Sequence, residues 1–278
     1  MDKDNKKTLA KMLGVSRQLL YYDHLQPKKD WLLKTEIEKT LRNNPSYGHK
    51  KLAKHLGVGK NRVLRVMKIY GIKPYRRKDK KFKYIKAKKD KIFNNLLLSN
   101  YPEYPNHIWA SDFTHIAKYN NKWVYLATIL DLYTRQIVGF SVLLNHSVQL
   151  VINALMMAVS NNNIPKIIHS DQGSEYASRD YSAICTRLGI KQSMSNPGSP
   201  WENGYQESFY DKFKIDLGDP NRFVSLGELV YNIYQQIYYY NHSRIHSALD
   251  MAPVEYAQCF ILNKQLNSIT NSFHRIGV

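Results

Sequence analysis

Residues 108–144 read IWASDFTHIAKYNNKWVYLATILDLYTRQIVGFSVLL. Three runs rich in apolar and β-branched residues, 108–116, 123–130 and 135–144, are separated by Lys118-Tyr119-Asn120-Asn121-Lys122 and by Asp131-Leu132-Tyr133-Thr134, both dense in turn formers. That spacing predicts a three-stranded antiparallel meander. Downstream the pattern alternates. A helix is expected over 147–160, a short buried strand over 166–170, a helix over 180–188, a strand over 190–194, then helices over 200–217 and 225–240. In the last of these Leu226, Leu229, Val230, Ile233, Ile237 and Tyr240 keep to one face. A meander followed by alternating helix and strand is an α/β pattern, the order found in ribonuclease-H-like folds.

Ahead of this region the grammar is helical and basic. Residues 8–21 predict two short helices around a glycine turn, with Ser16 as a cap. A second such unit has Leu32, Ile37 and Leu41 on one helix, Pro45-Ser46-Tyr47-Gly48 as a turn, and residues 51–59 leading into a helix over 60–70. In that helix Val63, Val66, Met67 and Tyr70 form the packed face, leaving Lys60, Arg62, Arg65 and Lys68 for solvent or DNA. Residues 73–91, including Arg76 and Arg77, are a basic run with interleaved aromatics that suits a linker tracking a phosphate backbone.

Charge follows this division. The net charge is +19, yet residues 1–91 hold 28 basic and 8 acidic side chains while residues 92–278 hold 13 and 14. The front is a polyanion binder by electrostatics, with nucleic acid and an anionic membrane surface as the candidates. A hydrophobic share of 43% excludes wholesale disorder, and no run approaches a membrane span or a signal peptide, so a cytoplasmic protein is expected. Cys185 and Cys259, without metal-ligand spacing, are expected to be two buried thiols.

Three acids stand out in the near-neutral back. Asp112 lies inside the first strand, on the face of Ile108, Ala110 and Thr114, where an unpaired carboxylate is costly to bury. Asp171 follows the strand over 166–170, at the carboxyl end where open α/β sheets place ligands. Beyond Pro197-Gly198, Ser199-Pro200-Trp201-Glu202 reads as a capping box, which gives Glu202 a local task. Glu207 has no such task and shares a helix face with Asn203 and Lys214, opposite Tyr205, Phe209 and Phe213. Asp112, Asp171 and Glu207 together offer the hard oxygen ligands that two Mg²⁺ ions, or Mn²⁺, require for in-line displacement at phosphorus. His169, beside Asp171, is expected to shape the strand end rather than to bind metal.

Five segments in order carry a resemblance: 109–114 around Asp112, 131–139, 169–176 around Asp171, 193–203, and 207–214 from Glu207 to Lys214. With residues 240–249, including Arg244, they resemble the catalytic frame (OrfB) of IS3-type insertion-sequence transposases, relatives of retroviral integrases with a DDE site. The resemblance spans about residues 45–260 and includes the spacing from Asp171 to Glu207 and on to Lys214. It implies a ribonuclease-H-like core preceded by helix-turn-helix units, with Asp112, Asp171 and Glu207 as catalytic metal ligands and no other cofactor. Lys214, Asn203, Arg244, Lys60, Arg62, Arg65, Arg76 and Arg77 are expected to contact DNA. It further implies DNA cleavage and strand transfer, double-stranded DNA ends and target as partners, a homo-oligomer on DNA, and an upstream-frame (OrfA) product or fusion. The domain expectation is a short helix-turn-helix-like segment (1–30), a helix-turn-helix domain (31–74), a basic linker (75–104), an integrase core (105–220) and a C-terminal helix and tail (221–278). A catalytically dead DNA-binding regulator and a nuclease for RNA·DNA hybrids are the rival readings.

Overall fold

The computed structural model describes residues 3–16, 25–75, 93–196 and 198–276. The chain forms two compact units, residues 1–75 and 76–278.

In the first unit the helices are α1 (Lys3–Met12), α2 (Leu25–Asn43), α3 (His49–His55) and α4 (Lys60–Ile69). Leu33, Ile37, Tyr47, Leu52, Val63, Val66 and Met67 are its buried apolar residues. Leu33, Ile37 and Thr40 make the inward stripe of α2, and Leu32, expected on that face, lies a residue off it and is 67% exposed. Between α3 and α4 the chain turns at Gly57, whose φ of 63° is open to glycine at little cost. There the Val58 N–H donates to the Ala53 carbonyl at 2.9 Å, closing α3 as a Schellman motif. Lys60, Arg62 and Lys68 are exposed on α4. Arg65 is exposed as well, and one of its amino groups pairs with buried Asp30 of α2, holding that carboxyl below its usual range. The second helix expected within 8–21, and Arg76 and Arg77, fall outside the described residues.

The second unit is built on a five-stranded sheet of order β3-β2-β1-β4-β5. Its strands are β1 (Ile108–Tyr119), β2 (Lys122–Asp131), β3 (Ile137–Leu143), β4 (Ile167–Ser170) and β5 (Lys191–Met194). β1, β2 and β3 form the expected antiparallel meander, and β4 and β5 add in parallel. Asn120 and Asn121, with φ of 46° and 62°, turn β1 into β2, a conformation that asparagine tolerates better than most residues.

Alternation along β1 sends its residues to two cores. Trp109 packs with α5 (Val148–Asn161) and α6 (Arg179–Arg187), while Ile108 and Ala110 face α7 (Gly204–Leu217) and α8 (Leu226–His242). Helix α9 (Pro253–Ile276) ends the described chain. Residues 93–98, read from sequence as linker, belong to this packing: the Leu96 N–H donates to Ser193 Oγ at 2.9 Å and Asn95 is buried. Cys185 is buried as expected, whereas Cys259 is exposed on α9.

The end of α8 is clasped to the turn after β2 and to edge strand β3. Tyr240 donates to the Arg135 carbonyl at 3.0 Å, and the Asn241 carboxamide both donates to and accepts from the Ile137 backbone at 2.9 Å. Just beyond, Arg244 is 3% exposed and its Nε donates to Asp216 of α7 at 2.8 Å. That burial corrects the expectation that Arg244 contacts DNA: its guanidinium is committed to a carboxylate inside the fold. Replacing it strands a buried charge. Arg244→Ala should lower unfolding stability by about 3 kcal/mol in urea titrations, with its DNA affinity, measured where it is still folded, within twofold of wild type.

Candidate active site

Three elements bring the three acids to one end of the sheet. β1 pairs with β4 only through Ala110, opposite His169, so Asp112 stands just past the point where β1 loses that neighbour. Asp171 is the first residue after β4 and is exposed. Its Oδ1 accepts the Gly173 N–H at 2.9 Å, and a Cβ on Gly173 would lie 3.0 Å from that oxygen, so a side chain there would press on the carboxylate. Glu207 sits in the first turn of α7.

These charges act on one another. Burial first, then the charges of Asp171 and Glu207, push the Asp112 carboxyl up to about 8, against the pull of the Phe113 N–H and Lys214. Burial also raises Glu207. A buried carboxyl whose proton affinity is raised by two neighbouring acids is one that a divalent cation would relieve, which is the sense in which these residues fit a metal. Among the described residues no three His, Cys, Asp or Glu side chains stand close enough together to hold a metal ion. Lys214 donates to Thr114 Oγ1, two residues along β1 from Asp112, and so belongs to the same end.

What sets α7 against β1 is a buried polar network that the helical periodicity did not reveal. Gln206 is fully buried; its Nε2 donates to the Ala110 carbonyl at 2.6 Å and the Thr128 carbonyl at 3.2 Å. Its Oε1 accepts from the Thr128 hydroxyl at 3.0 Å. One turn on, the Tyr210 hydroxyl donates to the carbonyl of Asp112 itself at 2.7 Å. Gln206 precedes Glu207, so the two contacts flank the glutamate and tie it to the strand that carries Asp112. A buried amide is stable only when its groups are paired, and these are.

Other expectations need correction. Residues 200–203 form a 3-10 turn, and the Ser199 side chain caps nothing. Glu202 instead accepts from Asn95 Nδ2 at 2.7 Å and from the backbone and side chain of Asn196 at 2.6 and 2.9 Å, holding the segment before β1 to the exit of β5. Asn203 ends the 3-10 turn, one residue before α7 begins. It is buried rather than displayed to DNA, and its Oδ1 has no partner among the described residues. Tyr205, expected in the core, is half exposed beneath Arg135, whose guanidinium lies 4.1 Å from the ring centroid. His169 is buried, bonds through Nδ1 to Ser193 Oγ at 2.9 Å, and is pushed down to about 4 by burial, so it is neutral at ordinary pH and braces β4 on β5.

Comparison with known proteins agrees with this geometry. Two family models described as "Integrase core domain" match residues 102–200 and 188–253. A 31 kDa protein of insertion element IS600 from Shigella sonnei is 32% identical, over 87% of this chain and 94% of its own length. The InsF transposase of insertion sequence IS3A from Escherichia coli K12 is 33% identical over 56% of this chain, which spans 55% of that protein's length. A chain of the simian T-cell lymphotropic virus intasome, solved with PP2A regulatory subunit B56 gamma, shares the fold with a TM-score of 0.50 and 20% identity, over 76% of this chain and 70% of its own. A meander-first sheet flanked by helices, three interacting acids at its end and these relatives together place the chain in the IS3-type DDE transposase family, polynucleotidyl transferases of DNA transposition and integration with a ribonuclease-H-like integrase core.

Proposed function

We propose that Asp112, Asp171 and Glu207 are the catalytic and metal-binding residues, and that the chain cleaves a strand at an insertion-sequence end and joins the freed 3′-OH to target DNA. The observation that carries this reading is that Asp112 feels the charges of Asp171, Glu207 and Lys214 together. Two Mg²⁺ ions, or Mn²⁺ in their place, would supply Lewis-acid stabilisation of the attacking and leaving oxygens at phosphorus. The residues of the chain hold and orient. Gln206 and Tyr210 fix the separation of the Asp112 and Glu207 backbones, and Gly173 leaves room for the Asp171 carboxylate. Lys214 brings positive charge to the strand that carries Asp112, where a DNA phosphate is to sit.

In the N-terminal unit, Lys60 and Arg62 open the second helix of the helix-turn-helix and are exposed, which supports a role in holding DNA through its phosphates. Arg76 and Arg77 extend the basic charge in sequence. We further read the 1–30, 31–74, 75–104, 105–220 and 221–278 segments as successive DNA-holding, linking, catalytic and tail regions. Two DNA ends must be held at once, which favours a homo-oligomer, and an upstream-frame product or fusion would add end recognition. No helix among the described residues is long and apolar enough to cross a membrane, in keeping with a protein that works on DNA in the bacterial cytoplasm.

Strand transfer with labelled element ends and Mg²⁺ or Mn²⁺ separates this reading from a dead regulator or a hybrid nuclease. Glu207→Gln should abolish both cleavage and joining, by at least about 10³-fold, with DNA affinity unchanged; full joining by this variant rejects the site. Tyr210→Phe, which removes the donor to the Asp112 carbonyl, should slow joining at saturating DNA by roughly tenfold or more with DNA affinity within twofold. A loss that merely tracks lowered thermal stability would make Tyr210 a packing residue only.

A further inference from the structure

Near Asp171, across the space that Gly173 leaves, lies a further carboxylate that the mechanism does not use. Glu175 is 7% exposed, and its Oε1 lies 2.8 Å from Nδ1 of His146, in the loop between β3 and α5. The other oxygen, Oε2, accepts from Ser174 Oγ at 3.0 Å. Burial pushes the Glu175 carboxyl up, but the bonds from His146, its own backbone and Ser174 outweigh burial and hold it below the usual carboxylate range. Glu175 is therefore an anion that needs a donor, and His146 Nδ1–H is that donor.

The pair is seated against the catalytic strand. The His146 ring lies parallel to Phe113 within 5°, centroids 6.2 Å apart, and its centroid is 5.2 Å from that of Tyr125. Phe113 follows Asp112 and donates its N–H to that carboxylate at 2.8 Å. On the other side, a Cβ built on Gly173 would lie 3.0 Å from Asp171 Oδ1 and 3.3 Å from Glu175 Oε2, so both carboxylates border one small gap. The imidazole is thus fixed by two aromatic rings and by a buried acid that borders the same gap as Asp171.

We propose that His146, clamped by Glu175, is a binding site for a non-bridging phosphate oxygen of the DNA strand next to the scissile bond. This rests on the reading of Asp112, Asp171 and Glu207 as the reacting centre. With Nδ1–H committed to Glu175, Nε2 is the nitrogen left for a ligand, on a side chain that is 59% exposed; it meets a phosphate oxygen as a donor when the ring carries a proton there as well. A donor on the Asp171 side of the sheet end also has an electrostatic use: it gives an incoming phosphodiester a favourable contact without taking a metal position. A pair serving only to pin the loop would not need the imidazole exposed.

The test is a methylphosphonate scan, which removes one phosphate charge at a time on either side of the scissile bond, using the full chain in strand-transfer and binding assays. In wild type, one flanking position should weaken productive binding by about tenfold. In His146→Ala that same substitution should have no further effect, while unmodified DNA already binds about tenfold more weakly and the joining rate at saturation stays within twofold. His146→Arg should restore both the affinity and the sensitivity. Identical scans for wild type and His146→Ala would overturn the proposal, as would an Arg variant no better than Ala. Glu207→Gln in the same assay keeps the two readings apart: if it joins normally the reacting centre is misassigned, whereas a blocked Glu207→Gln with identical scans removes only the phosphate site.

Discussion

Gln206 and Tyr210 of α7 reach onto the β1–β2 ladder, and each donates to one carbonyl of either strand: Ala110 and Thr128 for the glutamine, Asp112 and Leu126 for the tyrosine. Through these hydrogen bonds a packing requirement becomes the geometry of the site: the helix cannot pair its buried amide and hydroxyl without bringing Glu207 toward the strand that carries Asp112. β4 ends at Ser170, and Asp171 leaves the sheet there. The cost is electrostatic, since Asp112 is buried and feels the charges of both other acids.

The charge distribution of the chain answers that cost. The near-neutral back half does not ring its acids with lysines; Lys214 is the basic residue whose charge acts on Asp112. The strong positive charge stays in the front third, on surfaces such as the one bearing Lys60 and Arg62. An acidic sheet end has its charge available for a cation, and a front of this charge is suited to a nucleic-acid backbone.

Much of this was legible in the sequence because period and punctuation are local. The meander over 108–144 and the helix after it follow from alternation and turn chemistry. Asp112 stands out because a strand interior is a costly place for a carboxylate, Asp171 because it ends a strand where such sheets place ligands, and Glu207 because it lacks a local task. What could not be read depended on partners distant in sequence. Arg244 looks like a DNA contact until Asp216 buries it, and the pairing of Arg65 with Asp30 joins two helices. Asn203 stands in the 3-10 turn ahead of α7, and Tyr205 lies at the edge of the helix's buried stripe, whose middle is taken by Gln206 beside Phe209, Tyr210 and Phe213. Glu202 illustrates the reverse case: a sequence that fits a capping box serves as a tie between Asn95 and Asn196.

If the acids are held together against their own charge, removing one charge should relax the fold while ending its chemistry. Thermal unfolding of wild type and Asp112→Asn, in EDTA and then with Mn²⁺, measures this directly. The folded-state Asp112 carboxyl is raised from 3.8 to about 8, so the stability it contributes in acid is lost as pH rises through that window, and asparagine is immune to the loss. The account predicts that in EDTA the variant melts higher, by a margin that widens from about pH 4 to about pH 8, and that Mn²⁺ raises the melting temperature of wild type but not of the variant. A variant that melts no higher at any pH, with Mn²⁺ stabilising both proteins equally, would contradict it.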